Sequence, residues 1–331
     1  MTRAGGAHRP SHPVDGTRLQ CHGAPERMVR AFCVMLGKGD RDYGGGVMSI
    51  QFRGMLASGV GQLRYEPTAK RIRAVLGGHT VVDTTRAILL WEPRRIVPSY
   101  AVPVEDFHGD LVPAGTTSAA GTDEMGVRLP DLSERPVLDP SVPFAAHSTE
   151  GDVVDLRADG QTRPGAGFRP SDPDLAGYVV LDFGAFDAWY EEDERNVAHP
   201  RDPFHRVDVL ASSRQVRLEL DGQVLAQSSR PMLLFETMLP TRYYLPREDI
   251  RAELIPSDKR TYCAYKGQAS YWSVPVGGDL HTDIAWTYPD PLHDALNVRG
   301  LIAFFNERVD LVVDGARRER PITPWSPRPG G

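Results

Sequence analysis

Gln215-Val-Arg-Leu-Glu-Leu-Asp-Gly-Gln-Val-Leu-Ala-Gln227 is the stretch that decides the fold. Val216, Leu218 and Leu220 alternate with Arg217 and Glu219, the period of a strand with one buried face. Asp221-Gly222 is a two-residue hairpin signal, and Gln223–Gln227 reads as the return strand. The same grammar occurs earlier, where Arg71–Leu76 runs through Gly77-Gly78 into Thr80–Thr84. Each half of the chain therefore opens with a β-hairpin.

The likeness between the halves extends well beyond the hairpin. Ile72-Arg73, Gly78, Arg86, Leu89-Leu90 and Glu92 recur in order and spacing as Val216-Arg217, Gly222, Arg230, Leu233-Leu234 and Glu236. One residue is then lost, so Tyr100 aligns with either Tyr243 or Tyr244. Pro103, Glu105 and Asp106 match Pro246, Glu248 and Asp249. Gly177–Asp187 matches Gly300–Asp310. Three blocks in one order predict a duplicated chain. Ala87–Trp91, Met232–Phe235 and Arg242–Leu245 read as short apolar strands, and Ser270–Val276 as an alternating one. Glu248–Leu254 fits a helical turn or an edge strand. Asp290-Pro291 has the form of a helix start, with the helix continuing through Leu292–Val298. Leu301–Phe305 with Val309–Val313 predicts a closing hairpin, as does Tyr178–Asp182 with Phe186–Tyr190. The fold class is mainly β (β-rich α+β): two tandem small antiparallel β-domains, each with at most one short helix.

The predicted organisation is a disordered extension over 1–60, a first copy over 61–200, a second over 205–315 and a loose tail over 316–331. The first copy carries an insert, Ala114 to Pro143, rich in Pro, Gly, Ser, Thr and acidic residues, which reads as a solvated loop.

Composition excludes several classes. A net charge of −6 argues against non-specific binding to nucleic acid or anionic membranes, which calls for basic patches. No apolar run is long enough to span a bilayer. The three cysteines, Cys21, Cys33 and Cys263, form neither a disulfide framework nor a CxxC pair, so no metal is expected and the cytoplasm is the default compartment. No cofactor motif is present. A homodimer stays open.

The second copy contains one stretch that the first lacks: Thr261-Tyr-Cys-Ala-Tyr-Lys-Gly-Gln-Ala-Ser-Tyr-Trp272. The first copy offers about His147–Val154 there, keeping only a glycine. Lys266 is one of only four lysines, with Lys38, Lys70 and Lys259. It reads either as a turn lysine beside Gly267 or as a base, Schiff-base amine or anion anchor. Cys263 reads as a buried hydrophobe or as a nucleophile or redox thiol activated by Lys266 or His281. Tyr265 or Tyr271 would serve as proton donor in a reaction. Tyr265, Tyr271, Trp272, Trp286 and Tyr288 supply core or pocket wall, and Tyr271 and Trp272 must point to opposite faces of their strand. Arg230 and Arg242 could meet a ligand anion or pair with Glu236, Glu248 or Asp249. Arg86 beside Glu92 suggests that a structural pair is kept in both copies. His281 and His293 lack a third zinc ligand. His147 with Glu150 and Asp152 reads as solvated loop polarity.

The C-terminal motifs resemble a family of small bacterial and fungal domains of unknown function, DUF427. The resemblance rests on Arg230, Leu233-Leu234-Phe-Glu236, Tyr243-Tyr244-Leu-Pro246, Thr261–Trp272, Ala285-Trp286-Thr-Tyr288-Pro-Asp-Pro291 and Ala303-Phe304-Phe305. It spans about 215–313, and the first copy looks like a diverged second member. The resemblance implies a small antiparallel β-structure akin to β-tent domains, which hold zinc with two CxxC pairs that this chain lacks. A nucleotidyltransferase-like label attached to the family finds no support, since Gly-Ser followed by paired aspartates and a Gly-rich phosphate loop are both missing. The expected function is small-molecule binding in a pocket of the second copy, built from Cys263, Tyr265, Lys266, Gly267, Tyr271, Trp272, Trp286, Tyr288, Arg242 and Tyr244. Whether that pocket also catalyses stays open. The rival is a non-enzymatic interaction module whose aromatics are core.

Overall fold

The computed structural model describes residues 49–117 and 121–327. The expected disorder over residues 1–60 falls mostly outside them; within them, Phe52–Ser58 forms a helix, α1. The hairpins form because their turns can. Gly77, Gly78, Asp221 and Gly222 all have positive φ, between 49° and 84°, as a two-residue turn matching strand twist demands.

The first half contains β1 (Arg64–Pro67), β2 (Ile72–Leu76), β3 (His79–Thr84), β4 (Ile88–Trp91), β5 (Ser99–Pro103), β6 (Asp110–Thr117), β7 (Gly151–Ala158), β8 (Gln161–Pro170), β9 (Tyr178–Leu181), β10 (Ala188–Glu191) and β11 (Glu194–Asn196). The second contains β12 (Val207–Ala211), β13 (Val216–Leu220), β14 (Gln223–Ser228), β15 (Met232–Glu236), β16 (Arg242–Leu245), β17 (Ile255–Cys263), β18 (Gly267–Val276), β19 (Asp279–Thr287), β20 (Ile302–Phe304), β21 (Asp310–Val313) and β22 (Ala316–Arg318). The first half forms a seven-stranded sheet, β1-β4-β5-β9-β8-β7-β6, and a four-stranded sheet, β11-β10-β2-β3. The second repeats both orders, as β12-β15-β16-β20-β19-β18-β17 and β14-β13-β21-β22. Every paired strand is antiparallel. Register settles the open alignment: Leu89 faces Tyr100 and Leu233 faces Tyr243, so Tyr100 corresponds to Tyr243.

Each half buries its main core between its two sheets. Ile72, Leu76, Tyr100, Leu156 and Trp189 fill the first, and Leu218, Leu245, Val274, Phe304 and Val313 the second. The closing hairpins expected at the end of each half do not exist. β20 belongs to the seven-stranded sheet and β21 to the four-stranded one. Backbone bonds from Arg308 and Val309 to the Phe305 carbonyl turn the chain across the core between them. Glu248–Leu254 resolves into a 3-10 turn, Arg247–Asp249. The helix expected from Asp290 is a kinked 3-10 segment, His293–Val298, with Leu292 at its N-cap position and no side-chain cap.

Two segments read as loose are ordered. In the insert, Leu129, Val137, Leu138 and Val142 are buried. Arg95 donates to the carbonyls of Val142 (3.1 Å), Pro143 (2.7 Å) and Ala146 (3.0 Å). Arg94 reaches Pro136 and Thr122. Buried carbonyls must be paired, and two arginines do this where no strand could. Residues following the insert then pack on the outer face of the first seven-stranded sheet, where His147 stacks on Phe168 with centroids 3.7 Å apart. As far as residue 327 the tail is likewise held: β22 pairs with β21, and Thr323 bonds the buried Glu307.

Arg95→Ala leaves those carbonyls unsatisfied, at roughly 1–3 kcal/mol each. We expect trypsin to cleave after Arg128 at least tenfold faster in this variant. Wild-type cleavage rates would show that the insert holds without Arg95.

Candidate functional site

In the second half, β17 and β18 meet at a tight turn, Ala264-Tyr265-Lys266, closed where Cys263 faces Gly267. Gly267 has φ +89°, a region that side chains disfavour. The turn folds Lys266 inward, and its carbonyl accepts from Leu292 N at 3.2 Å. Lys266 is 8% exposed, and its ammonium pairs with the Glu236 carboxylate at the end of β15. His205 Nε2 reaches the same Glu236 oxygen at 3.0 Å.

The electrostatics follow from this burial. Removal from water opposes charge on both partners. For Glu236, Lys266 and His205 outweigh that cost and hold the carboxyl at about 2. For Lys266, the Glu236 carboxylate outweighs it and holds the ammonium above the usual lysine range. Lys266 is thus a fixed cation. That suits an anchor, not a base or Schiff-base amine, both of which need a free amine.

His205 belongs to the segment linking the halves, which clasps Tyr265. The His205 ring stacks on Tyr265 at 4.4 Å, the Arg201 guanidinium lies 5.2 Å from the Tyr265 centroid, and Asp202 N donates to the Tyr265 hydroxyl at 2.7 Å. Arg201 also pairs with Asp294, while its backbone N donates to Glu191 of the first half. Tyr265 is therefore held by the linker, and burial raises its phenol well out of the range of a useful acid.

The outer face of the seven-stranded sheet gathers the remaining candidates. Ala269 and Ala303 are small and buried at its centre, with Tyr244, Tyr271, Trp286, Tyr288 and Phe305 around them. Trp286 Nε1 donates to the Tyr244 hydroxyl at 3.0 Å. Tyr271 shares a hydrogen bond with Thr261 at 2.7 Å. The Tyr288 hydroxyl bonds no described residue, although Tyr288 is only 6% exposed. It lies within electrostatic reach of Tyr244, Cys263, Glu236 and Tyr271. Burial raises the pKa of Tyr244, Tyr271 and Tyr288, so all three stay protonated. Cys263 is half-buried and its Sγ accepts from Tyr265 N at 3.5 Å.

Several expectations are corrected. Trp272 leaves this group: as the period of two requires, it turns to the opposite face, against the inter-sheet core, with Arg247 over its ring. Arg242 is already paired, by two hydrogen bonds of 2.6 and 2.7 Å to the buried Glu307. Trp286, Phe305 and Trp325 surround its guanidinium. Arg230 pairs with Glu248 and Asp249, two of the partners expected for it, whereas Arg86 pairs with Glu105 and Asp106 in place of Glu92. Most of the candidate residues are buried, and an open groove of about 440 Å³ lies elsewhere, against the first half and the linker, lined by Glu66, Lys70, Arg201 and Phe204 among others. Among the described residues no group of three or more His, Cys, Asp or Glu is placed to hold a metal ion.

Sequence reasoning missed Glu236, His205 and Glu307. The usable signal was the recurrence of Glu92 as Glu236 at the end of an apolar strand. In the first half Glu92 is also buried, taking His147 Nδ1 at 3.0 Å and Ser148 N at 2.6 Å. His147 is therefore a buried partner, not loop polarity. Register sets Gly151 level with Ala269 and Phe168 level with Trp286, so the glycine of the first half does not correspond to Gly267.

Glu236→Gln leaves Lys266 buried without a counter-charge, and we expect a loss of about 3–5 kcal/mol at pH 7 by urea denaturation. A carboxyl with a depressed folded pKa stabilises above its unfolded value, about 4.3, and loses that contribution as pH falls toward 2. The variant should therefore lack part of the wild-type acid sensitivity in this window. Identical pH profiles would contradict the assignment.

Residues 208–315 match the model of a family described as Domain of unknown function (DUF427). No curated protein matches the chain.

Proposed function

We propose that the second half binds a small molecule at the outer face of its seven-stranded sheet, beside Lys266, Cys263, Tyr244 and Tyr288. The observation that carries this reading is the contrast between two faces of the same topology. The first half fills its face with its own chain, through Phe144 and His147. The second carries there the Lys266 ammonium paired with Glu236, the half-buried Cys263 thiol, and a Tyr288 hydroxyl that bonds no described residue and is not among the fully buried unpaired atoms. The first half then acts as a structural partner, and we read it as a diverged copy of the matched domain. Whether bound ligand is also transformed depends on Cys263, the one nucleophile at the face. We place the protein in the cytoplasm, acting without nucleic acid, membrane or cofactor; a homodimer is compatible with this reading. No helix of the described residues is long and apolar enough to cross a membrane.

A second reading has its own support. Lys266 is nearly sealed and pinned by Glu236, as a purely architectural ion pair would be. On that reading the protein is an interaction module, and the exposed Phe204, Leu210 and Phe235 are surface for a protein partner.

Native mass spectrometry separates the two. We expect protein purified gently from its source to carry a stoichiometric small molecule. The double variant Glu236→Gln/Lys266→Met removes both charges together and so leaves neither one unpaired; it should carry none. A wild-type protein that stays apo after exposure to cell extract would favour the interaction module.

A further inference from the structure

We infer that the ligand of this face is a planar organic compound that presents carboxylate or carbonyl oxygens, held by hydrogen-bond donors only. The inference rests on the binding reading above and goes further, to the chemistry of the ligand. The donor count is one-sided. Lys266 gives one N–H to Glu236, and its other two find no acceptor among the described residues. The Tyr244 oxygen accepts from Trp286, which leaves its own proton undelivered. Tyr288 has a whole hydroxyl free. Thr261 and Tyr271 share one bond between two O–H groups, so one proton remains. The one strong acceptor nearby, Glu236, is engaged by Lys266 and His205. Burial keeps the phenols protonated, so they act as donors throughout the neutral range.

Shape points the same way. Ala269 and Ala303 put small side chains among the rings of Tyr271, Trp286 and Tyr244, so that flat surfaces border the face. In the first half, the level occupied by Trp286 is taken by Phe168, and a flat ring, His147, lies parallel to it at 10° while bonding the buried Glu92. A flat group with one polar edge is what this topology already accommodates.

The test uses two probes of equal size and flatness and opposite hydrogen-bonding character. Benzoate offers only acceptors, and benzamidine only donors and a positive charge. Both are titrated into the full-length chain, with binding read by ligand-observed NMR. We expect benzoate to bind and benzamidine not to. Tyr288→Phe, which removes a single O–H, should weaken benzoate about tenfold, the scale of one hydrogen bond to a charged group. Tyr244→Phe should weaken it as well, giving a second variant should the first fold poorly. Preferential binding of benzamidine, lost in the Glu236→Gln/Lys266→Met variant, would overturn the ligand class and leave the binding site standing. Benzoate affinity unchanged in both phenylalanine variants would overturn the assignment of these donors. Binding of neither probe would overturn the inference, and the native mass spectrum then decides separately whether the site itself stands.

Discussion

A buried carboxylate at the end of one strand organises each half of this protein. Glu236 ends β15 at a point where three separate parts of the chain converge: the strand itself, the turn carrying Lys266 and the linker carrying His205. A carboxylate that deep is tolerable only when its lone pairs are filled. The turn and the linker are therefore not free to choose their positions. Gly267 bends the chain so that Lys266 can arrive, and Tyr265 is left against the linker, where His205 and Arg201 close over it. Glu92 does the same work in the first half with His147 and Ser148. One electrostatic demand is thus met twice, by different hydrogen-bonding partners.

The second dependence is on cover. A seven-stranded sheet has two faces, and the four-stranded sheet protects one. The other must be closed by something else. In the first half Phe144 and His147 pack on it, while two arginines supply the donors that the irregular backbone before them needs. In the second, aromatic side chains, the segment His293–Val298 and the tail share the task, and Arg242 with Glu307 ties Thr323 and Trp325 down. The polar groups left over on that face are the ones that suggest a ligand.

The frame was legible because its rules are local. Alternation in Val216–Leu220, the turn pairs Gly77-Gly78 and Asp221-Gly222, and the ordered recurrence of blocks point to strands, hairpins and a repeated strand order without any distant contact. Period two also separates Tyr271 from Trp272, since neighbours on a strand face opposite ways. Lys266 stood out by scarcity alone. Its partner did not, because Glu236 lies thirty positions upstream on a strand that reads as apolar up to its last residue. Arg242 was misassigned for the same reason: Glu307 becomes its neighbour only once β16 and β20 pair. The insert misled because its apolar residues are scattered among prolines and show no period, and the arginines that bury it lie outside it. Crossing from β20 to β21 was hidden as well, since a turn between sheets and a hairpin turn look alike in a short apolar-polar-apolar run.

Filling a face from within also limits what can be altered there. With Phe144 and His147 lying against Phe168, the levels held by Tyr271 and Trp286 in the second half are occupied in the first by Val153 and Phe168. A substitution at either of those levels in the first half therefore acts on the chain's own packing before it can act on anything outside.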